Sequence, residues 1–335
     1  MRSVLVTGGA GFIGSHLVDQ LLEAGAAVRV LDNLSTGFAA NLQAAAERHS
    51  RGSGVLNGSR LEVIVGDIRD RELLRKALRG VNYVCHLAAL PATETSLMDP
   101  GDIHSVNVEG TLNLLHGALT EGVWRVVIAS CASVYGAPDV LDVPEDAPLR
   151  PTTLFGASKV AAETYALAFH ARHKLDTVVL RYFSVYGPRQ KAVPGGPLVP
   201  NLIESLRQGR PFLEHDEWSG EDFMYVDDAV AATLAAIRAP RASGRVINVG
   251  SGQMVSVADV RSILADLLRV SPISGTRVEG EARPHGICTR SAVAGELLDF
   301  APRVSLIRGL ARVVAAASHS EHSEYPKLAP VALDD

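Results

Sequence analysis

Cysteine is scarce in this chain of 335 residues: only Cys85, Cys131 and Cys288 occur, and they form no spaced framework. That scarcity fits a reducing compartment, and the cytoplasm is the expected location. No stretch reaches 18 consecutive apolar residues, so no membrane span is expected. The opening MRSVLVTGGAGFIGSHL is interrupted by glycines and does not read as a secretory signal. Basic residues are not in excess. Lys and Arg number 32 against 37 Asp and Glu, a net charge of −5, so neither a nucleic acid nor an anionic membrane is an expected partner. No internal repeat at solenoid spacing is present. What is present is 47% hydrophobic and 21% charged residues, the balance of a core-burying chain long enough for one large domain or two modest ones.

Short apolar runs alternate with helical patterns over the first two-thirds. SVLVTG, AVRVLDN, RLEVIVGDI, VNYVCHLAA, RVVIASC and DTVVLRYF read as buried strands. GSHLVDQLLEAG (closed by Gly25), DRELLRKALRG, NVEGTLNLLHGALTEG and GASKVAAETYALAFHARH read as the helices between them. Continuous apolar strands separated by helices predict a parallel sheet covered on both faces, the doubly wound α/β (Rossmann) class. After Gly187 the texture changes: GPRQKAVPGGPLVP reads as an ordered loop, and helical pieces with a strand at RVINVG follow. The expected organisation is a dinucleotide-binding domain over 1–187 with segments returning near 223–250, a smaller α/β lobe over 188–318, and a polar tail over 319–335. Residues 44–59, AAAERHSRGSGVLNGS, read as a solvated surface loop.

VTGGAGFIGSH places Gly8, Gly11 and Gly14 between a strand and a helix. Gly8 permits a tight turn, Gly11 lets the backbone approach a pyrophosphate, and Gly14 lets the helix pack closely. The helix N-terminus then offers free N–H groups to the anion. Asp32 ends the second strand, where a carboxylate accepts both ribose hydroxyls of an adenosine and repels a 2′-phosphate. The expected cofactor is therefore NAD and not NADP. Asp67 in GDI suits a contact beside the adenine or, alternatively, a cap for the helix that follows.

Together with LDNLSTG, HLAAL, NVEGTLNLL, SVYG, GASK, RYFSVYGPRQ, DFMYVDDAV and NVGSG, these motifs run in order from residue 3 to about 252. In them the chain resembles the extended short-chain dehydrogenase/reductases of the nucleotide-sugar epimerase/dehydratase group. The resemblance implies tightly held NAD contacted at Phe12, Ile13, Asn33, Ile68, Leu87, Ala88, Ala89, Asn107 and Phe183, besides the residues above. It implies a lysine on the nicotinamide ribose, a tyrosine that moves a sugar hydroxyl's proton, and a serine or threonine on the same oxygen. A free phenol has a pKa of about 10, so the lysine's charge is what makes it a base near neutrality. A homodimer through VEGTLNLLHGAL and KVAAETYALAFHA is implied too.

The chain departs from that pattern at the chemistry. Phe155 stands at the tyrosine position and Lys159 at the lysine position, one helical turn apart. Cys131 replaces the serine or threonine. Ser184 stands in place of an asparagine, and Glu221 in place of a phosphate-holding arginine. Ser133, Arg189 and Arg283 complete the expected substrate contacts, the two arginines as phosphate partners. A thiolate at Cys131 beside positive charges is a candidate substitute base; an inert buried cysteine is the alternative. The family's dehydratases carry an Asp–Glu pair after the hydroxyl residue, and its decarboxylases a nearby glutamate. Here Ala132 and Ser133 follow, which leaves oxidation, rotation of the keto sugar and hydride return: an epimerase. Two other readings stay open, a catalytically impaired NAD- and ligand-binding homologue, and the same scaffold acting on an unusual sugar or nucleoside, as the acidic HDEWSGED suggests. No metal site is expected.

Overall fold

The computed structural model describes residues 3–49, 60–91, 100–138, 140–210, 213–214, 220–271, 276–277, 286–289 and 292–320. The N-terminal half runs β1 (Ser3–Thr7), α1 (Phe12–Glu23), β2 (Ala27–Asp32), α2 (Ala40–His49), β3 (Leu61–Val65), α3 (Arg71–Leu78), β4 (Tyr83–His86), α4 (Pro100–His104), α5 (Gly110–Thr120), β5 (Arg125–Cys131) and β6 (Asp142–Val143). It continues through α6 (Leu154–His173), β7 (Thr177–Tyr182), β8 (Ser184–Tyr186), α7 (Leu198–Gln208), β9 (Leu213–Glu214), β10 (Gly220–Tyr225) and α8 (Val226–Arg238). The remainder is β11 (Arg245–Val249), β12 (Met254–Ser256), α9 (Val257–Leu268), β13 (Thr276–Arg277), β14 (Gly286–Thr289), α10 (Ala292–Leu298) and α11 (Leu306–Ser320).

Seven parallel strands lie in the order β11-β7-β5-β4-β1-β2-β3. In the central strands β1, β4, β5 and β7 the side chains are largely buried on both faces, which is why they read as apolar runs, while the edge strand β3 exposes Glu62 and Val65. One face packs Leu17, Leu21, Val226 and Val230 of α1 and α8; the other packs Leu74, Leu78, Leu114 and Leu115 of α3 and α5. The strand order reverses between β1 and β4, so the loops leaving those strands part and open a crevice.

Second in size is a sheet ordered β12-β10-β14-β6, with β8 also paired to β10. Strand β6 reaches it from within the first 187 residues, and β11 of RVINVG joins the large sheet. Chain order therefore does not divide the two sheets cleanly. The expectation of a loop over 44–59 is corrected for its first part. Residues Ala44 to His49 continue α2, because Leu42, Ala45 and Ala46 fall on one helical face and pack against the large core. Residues 50–59 lie outside the described residues, as does the tail beyond 320. Asp67 does not cap α3; Asp70 does, accepting from the N–H groups of Glu72 and Leu73 at 3.0 Å each.

Candidate active site

At the end of β1 the chain turns through Gly8, whose φ of +70° needs glycine. A Cβ there would lie 2.7 Å from the Ala88 nitrogen. At Gly11 a Cβ would meet only the Gly8 oxygen, at 3.1 Å, so the turn stays open toward the crevice. At Gly14 a Cβ would lie 2.1 Å from that same backbone oxygen, so α1 seats on the turn only because residue 14 has no side chain. No side chain caps α1, which leaves its first N–H groups available to an anion. Gly14→Ala is expected to push the turn outward, cost about 1–3 kcal/mol of stability and weaken NAD binding. Calorimetric titration of the variant checks this; unchanged affinity would show that the turn holds no phosphate.

The crevice has a volume of about 440 Å³. Asp32, 8% exposed at the end of β2, accepts N–H bonds from Ala10 (2.9 Å) and Leu34 (2.8 Å). Burial raises its pKa and the two N–H donors pull it back. A carboxylate has about four acceptor sites, so capacity remains for two hydroxyls. Beside it Asn33 donates to Asp67 (2.9 Å), and the Arg69 guanidinium holds the Asp67 carboxyl down to about 2. This end fits a nucleoside with free ribose hydroxyls and disfavours a further phosphate.

The opposite end is built by β5 and α6. The Thr153 hydroxyl caps α6 by accepting from the Gly156 N–H at 3.0 Å, which fixes the helix start two residues before Phe155. Phe155 and Lys159 then face the crevice together, as helical spacing requires, with the Lys159 Nζ 5.8 Å from the Phe155 ring centroid. Lys159 is 6% exposed, and burial lowers its pKa against the opposing pull of Cys131 and Glu163. Cys131 ends β5. Burial pushes its thiol up, while the Lys159 charge and the hydroxyl and N–H of Ser133 draw it down.

Behind the wall lie residues that hold it. Gly110 N–H donates to Ser105 O across one wide helical turn, which aims Asn107 inward. Its side chain accepts from Leu90 N–H (2.7 Å) and donates to Leu90 O (3.1 Å) and Ser158 Oγ (2.9 Å). Asn107 therefore pins the loop after β4 and does not line the crevice, because those backbone groups claim its amide. His86 is buried between Thr7 (2.7 Å) and Thr111 (2.9 Å), its pKa lowered from 6.5 to about 3, first by desolvation and then by Lys159. The unfolded chain binds a proton there that the folded chain refuses, so stability falls as pH drops from about 6.5 toward about 3. Thermal midpoints against pH check this. A His86→Gln variant with the same acid slope would exclude His86.

A second buried group joins three elements. Glu163 on α6 takes the Arg181 guanidinium from β7 on both oxygens (2.8 and 3.0 Å) and the Ser130 hydroxyl from β5. Arg181 also donates to the Tyr135 hydroxyl (2.7 Å), which donates to Asn248 (2.7 Å).

Of the sequence-predicted residues, Gly8, Gly11, Phe12, Ile13, Gly14, Asp32, Asn33, Asp67, Ile68, Leu87, Ala88, Ala89, Cys131, Phe155, Lys159 and Phe183 line one crevice. The expected substrate contacts are not gathered there. Ser133 turns toward Cys131. The Ser184 hydroxyl donates to Glu221, whose carboxyl burial pushes up. Arg189 donates to Asp19 of α1 at 2.7 Å, a carboxylate that also meets Arg48, and its Nη1 has no partner among the described residues. Arg283 lies outside the described residues. Sequence reasoning missed Glu163 and Arg181. The i+4 spacing of Glu163 from Lys159 was the available signal. It also missed Gln190, which lines the crevice.

Residues 4–250 match the model of the NAD dependent epimerase/dehydratase family. A UDP-glucose 4-epimerase of Mycolicibacterium smegmatis is 35% identical over 319 residues, 92% of this chain and 96% of that one. A dTDP-glucose 4,6-dehydratase of Streptomyces griseus is 35% identical over 335 residues, 98% and 97% of the two chains. Among solved structures, a tyrosine-to-phenylalanine mutant of a UDP-glucuronic acid 4-epimerase from Bacillus cereus, complexed with UDP-4-deoxy-4-fluoro-glucuronic acid and NAD, superposes with a TM-score of 0.84. Its identity is 29%, covering 95% of this chain and 99% of that one.

Proposed function

The chain belongs to the NAD-dependent epimerase/dehydratase family, and from that premise we propose that it inverts one carbinol centre of a nucleotide sugar. It is an NAD-dependent enzyme of the epimerase type. When bound, NAD accepts a hydride from the carbinol carbon and returns it. The protein's own residues hold and orient. The turn over Gly8, Gly11 and Gly14 takes the pyrophosphate, and Asp32 accepts the adenosine ribose hydroxyls. Lys159 serves the other ribose, and Cys131 donates to the sugar oxygen.

One observation carries the choice of epimerisation over elimination. At the β5–α6 end of the crevice the titratable lining groups among the described residues are Cys131, Lys159 and Tyr182, whose hydroxyl is bonded to Thr233, and none of them is a carboxylate. Elimination of water or loss of carbon dioxide needs a further acid or base in reach. Phe155 favours a second reading, a slow or idle homologue that binds without turning over. The division into a dinucleotide domain (1–187 with 223–250) and a substrate lobe (188–318) belongs to the same proposal. So does a homodimer through α5 and α6, supported by the groove of Leu112, His116 and Phe169. A cytoplasmic site belongs to it as well; no described helix is long and apolar enough to cross a membrane.

The test is incubation of the NAD-loaded protein with UDP-glucose, UDP-N-acetylglucosamine and UDP-glucuronic acid, with products resolved chromatographically. An epimer is the expected product. A 4-keto-6-deoxy or decarboxylated sugar would overturn the assignment, and saturable binding without turnover would favour the idle reading.

A further inference from the structure

We propose that His86 is a positioning residue: held as the neutral Nε2–H tautomer, it locks the crevice segment 87–90 to α6 through hydrogen bonds that all run in one direction. This role is independent of which reaction the crevice performs. Leu87, Ala88, Ala89 and Leu90 line the crevice, and so do Phe155 and Lys159 of α6. His86 lies behind them, 2% exposed at the end of β4.

The direction is set from one contact. The Thr111 hydroxyl lies 2.6 Å from the backbone oxygen of Asn107. Two oxygens sit that close only with a hydrogen between them, and a carbonyl has none to give, so the Thr111 proton goes to Asn107 O. A hydroxyl has one proton. Thr111 Oγ1 therefore accepts from His86 Nε2 at 2.9 Å, and that nitrogen carries the hydrogen. The neutral ring then presents a bare Nδ1, which takes the Thr7 hydroxyl proton at 2.7 Å. Thr7 Oγ1 in turn accepts from the Ala88 N–H at 3.4 Å. A second ring proton would make Nδ1 a donor and strip the Thr7 hydroxyl of this acceptor. Burial and the Lys159 charge also oppose that proton.

Beyond Thr111 the direction continues. The Asn107 amide accepts from the Leu90 N–H at 2.7 Å and donates to Leu90 O at 3.1 Å and to Ser158 Oγ at 2.9 Å. The Ser158 hydroxyl then donates to Phe155 O at 2.7 Å. Ala88 N–H is the first donor and Phe155 O the last acceptor, and Thr7, His86, Asn107, Thr111 and Ser158 between them are all buried. Such a chain strengthens link by link in a low dielectric, and a reversed link would set donor against donor elsewhere. A neutral imidazole suits its middle, because it donates at one nitrogen and accepts at the other across a rigid ring. The two ends matter to the site. The Ala88 nitrogen would lie 2.7 Å from a Cβ at Gly8, so where Ala88 is held sets where the phosphate turn can lie. Phe155 and Lys159 follow α6. His86 thus registers the floor of the crevice with its catalytic helix.

Three readouts test this on the full chain. Long-range proton–nitrogen NMR of the imidazole rings, with His86 assigned by its disappearance in His86→Gln, shows which nitrogen is protonated; a bare Nδ1 and a protonated Nε2 are expected at neutral pH. Thr111→Val removes both the acceptor of Nε2 and the donor to Asn107, whereas Thr111→Ser keeps them. Hydrogen exchange read by mass spectrometry is expected to quicken on the order of tenfold over 87–90 in Thr111→Val and to stay unchanged over α8. NAD affinity by calorimetric titration is expected to fall by a similar factor, and Thr111→Ser to restore both. Circular dichroism checks folding, and the wild-type tautomer decides even where Thr111→Val does not fold. An Nδ1–H tautomer or an imidazolium overturns the proposal. So does exchange that quickens evenly along the chain, as a merely structural role would give, or an equal loss in Thr111→Ser. The expected tautomer and exchange pattern in a protein that makes no epimer would sink the epimerase reading alone.

Discussion

Phe155→Tyr is expected to raise turnover of a nucleotide sugar by about 10²–10⁴-fold, the usual worth of a well-placed acid/base group. Position 155 lies one turn before Lys159 on α6, both side chains reach the crevice, and the Thr153 cap fixes the helix start that aims them. A hydroxyl added to that ring would have an amino group close by. In its ammonium form, the amino group favours the phenolate and lowers a pKa that is otherwise about 10. Steady-state rates of the two purified proteins check the prediction. Equal rates on a shared substrate would show that residue 155 is not where the proton moves.

Glu163→Gln is expected to cost about 3–5 kcal/mol of stability, because it leaves a buried guanidinium without its counter-charge. Glu163 and Arg181 are 2% and 4% exposed, and the carboxylate is bound on both oxygens. A glutamine amide keeps one acceptor and turns a donor toward a donor. The effect should reach the site as well. Ser130, held by Glu163, directly precedes Cys131, so loosening it frees the end of β5. Urea unfolding followed by circular dichroism measures the loss. A change below about 1 kcal/mol, the scale of an exposed ion pair, would mean that the buried pair contributes little.

How far the sequence could be read depended on how local each feature is. The central strands of the large sheet were legible because both faces are largely buried and each is a short, mostly apolar run. The glycine turn and Asp32 were legible because three glycines, a strand end and a helix start obey fixed spacings. Phe155 and Lys159 shared a face as soon as their segment was taken for a helix. The small sheet was not legible in this way. Its strands are two to six residues long and come from five separated places, and β6 gives no signal within two residues. Pairs set by tertiary approach were hidden as well: Arg181 meets Glu163 across 18 positions, and Arg189 meets Asp19 across 170. Asn107 was placed at the cofactor by motif position, and the structure puts its amide to work one layer behind.

The central claim is that a hydride leaves one carbon and returns to the same carbon, in a site with no carboxylate for elimination. Incubation of the Phe155→Tyr protein and the wild type with UDP-glucose carrying deuterium at C4, followed by mass spectrometry and NMR of the product, tests it most directly. The account predicts an epimer that keeps the label at C4. Deuterium found at C6 of a deoxy-keto sugar, or lost to solvent, would contradict it.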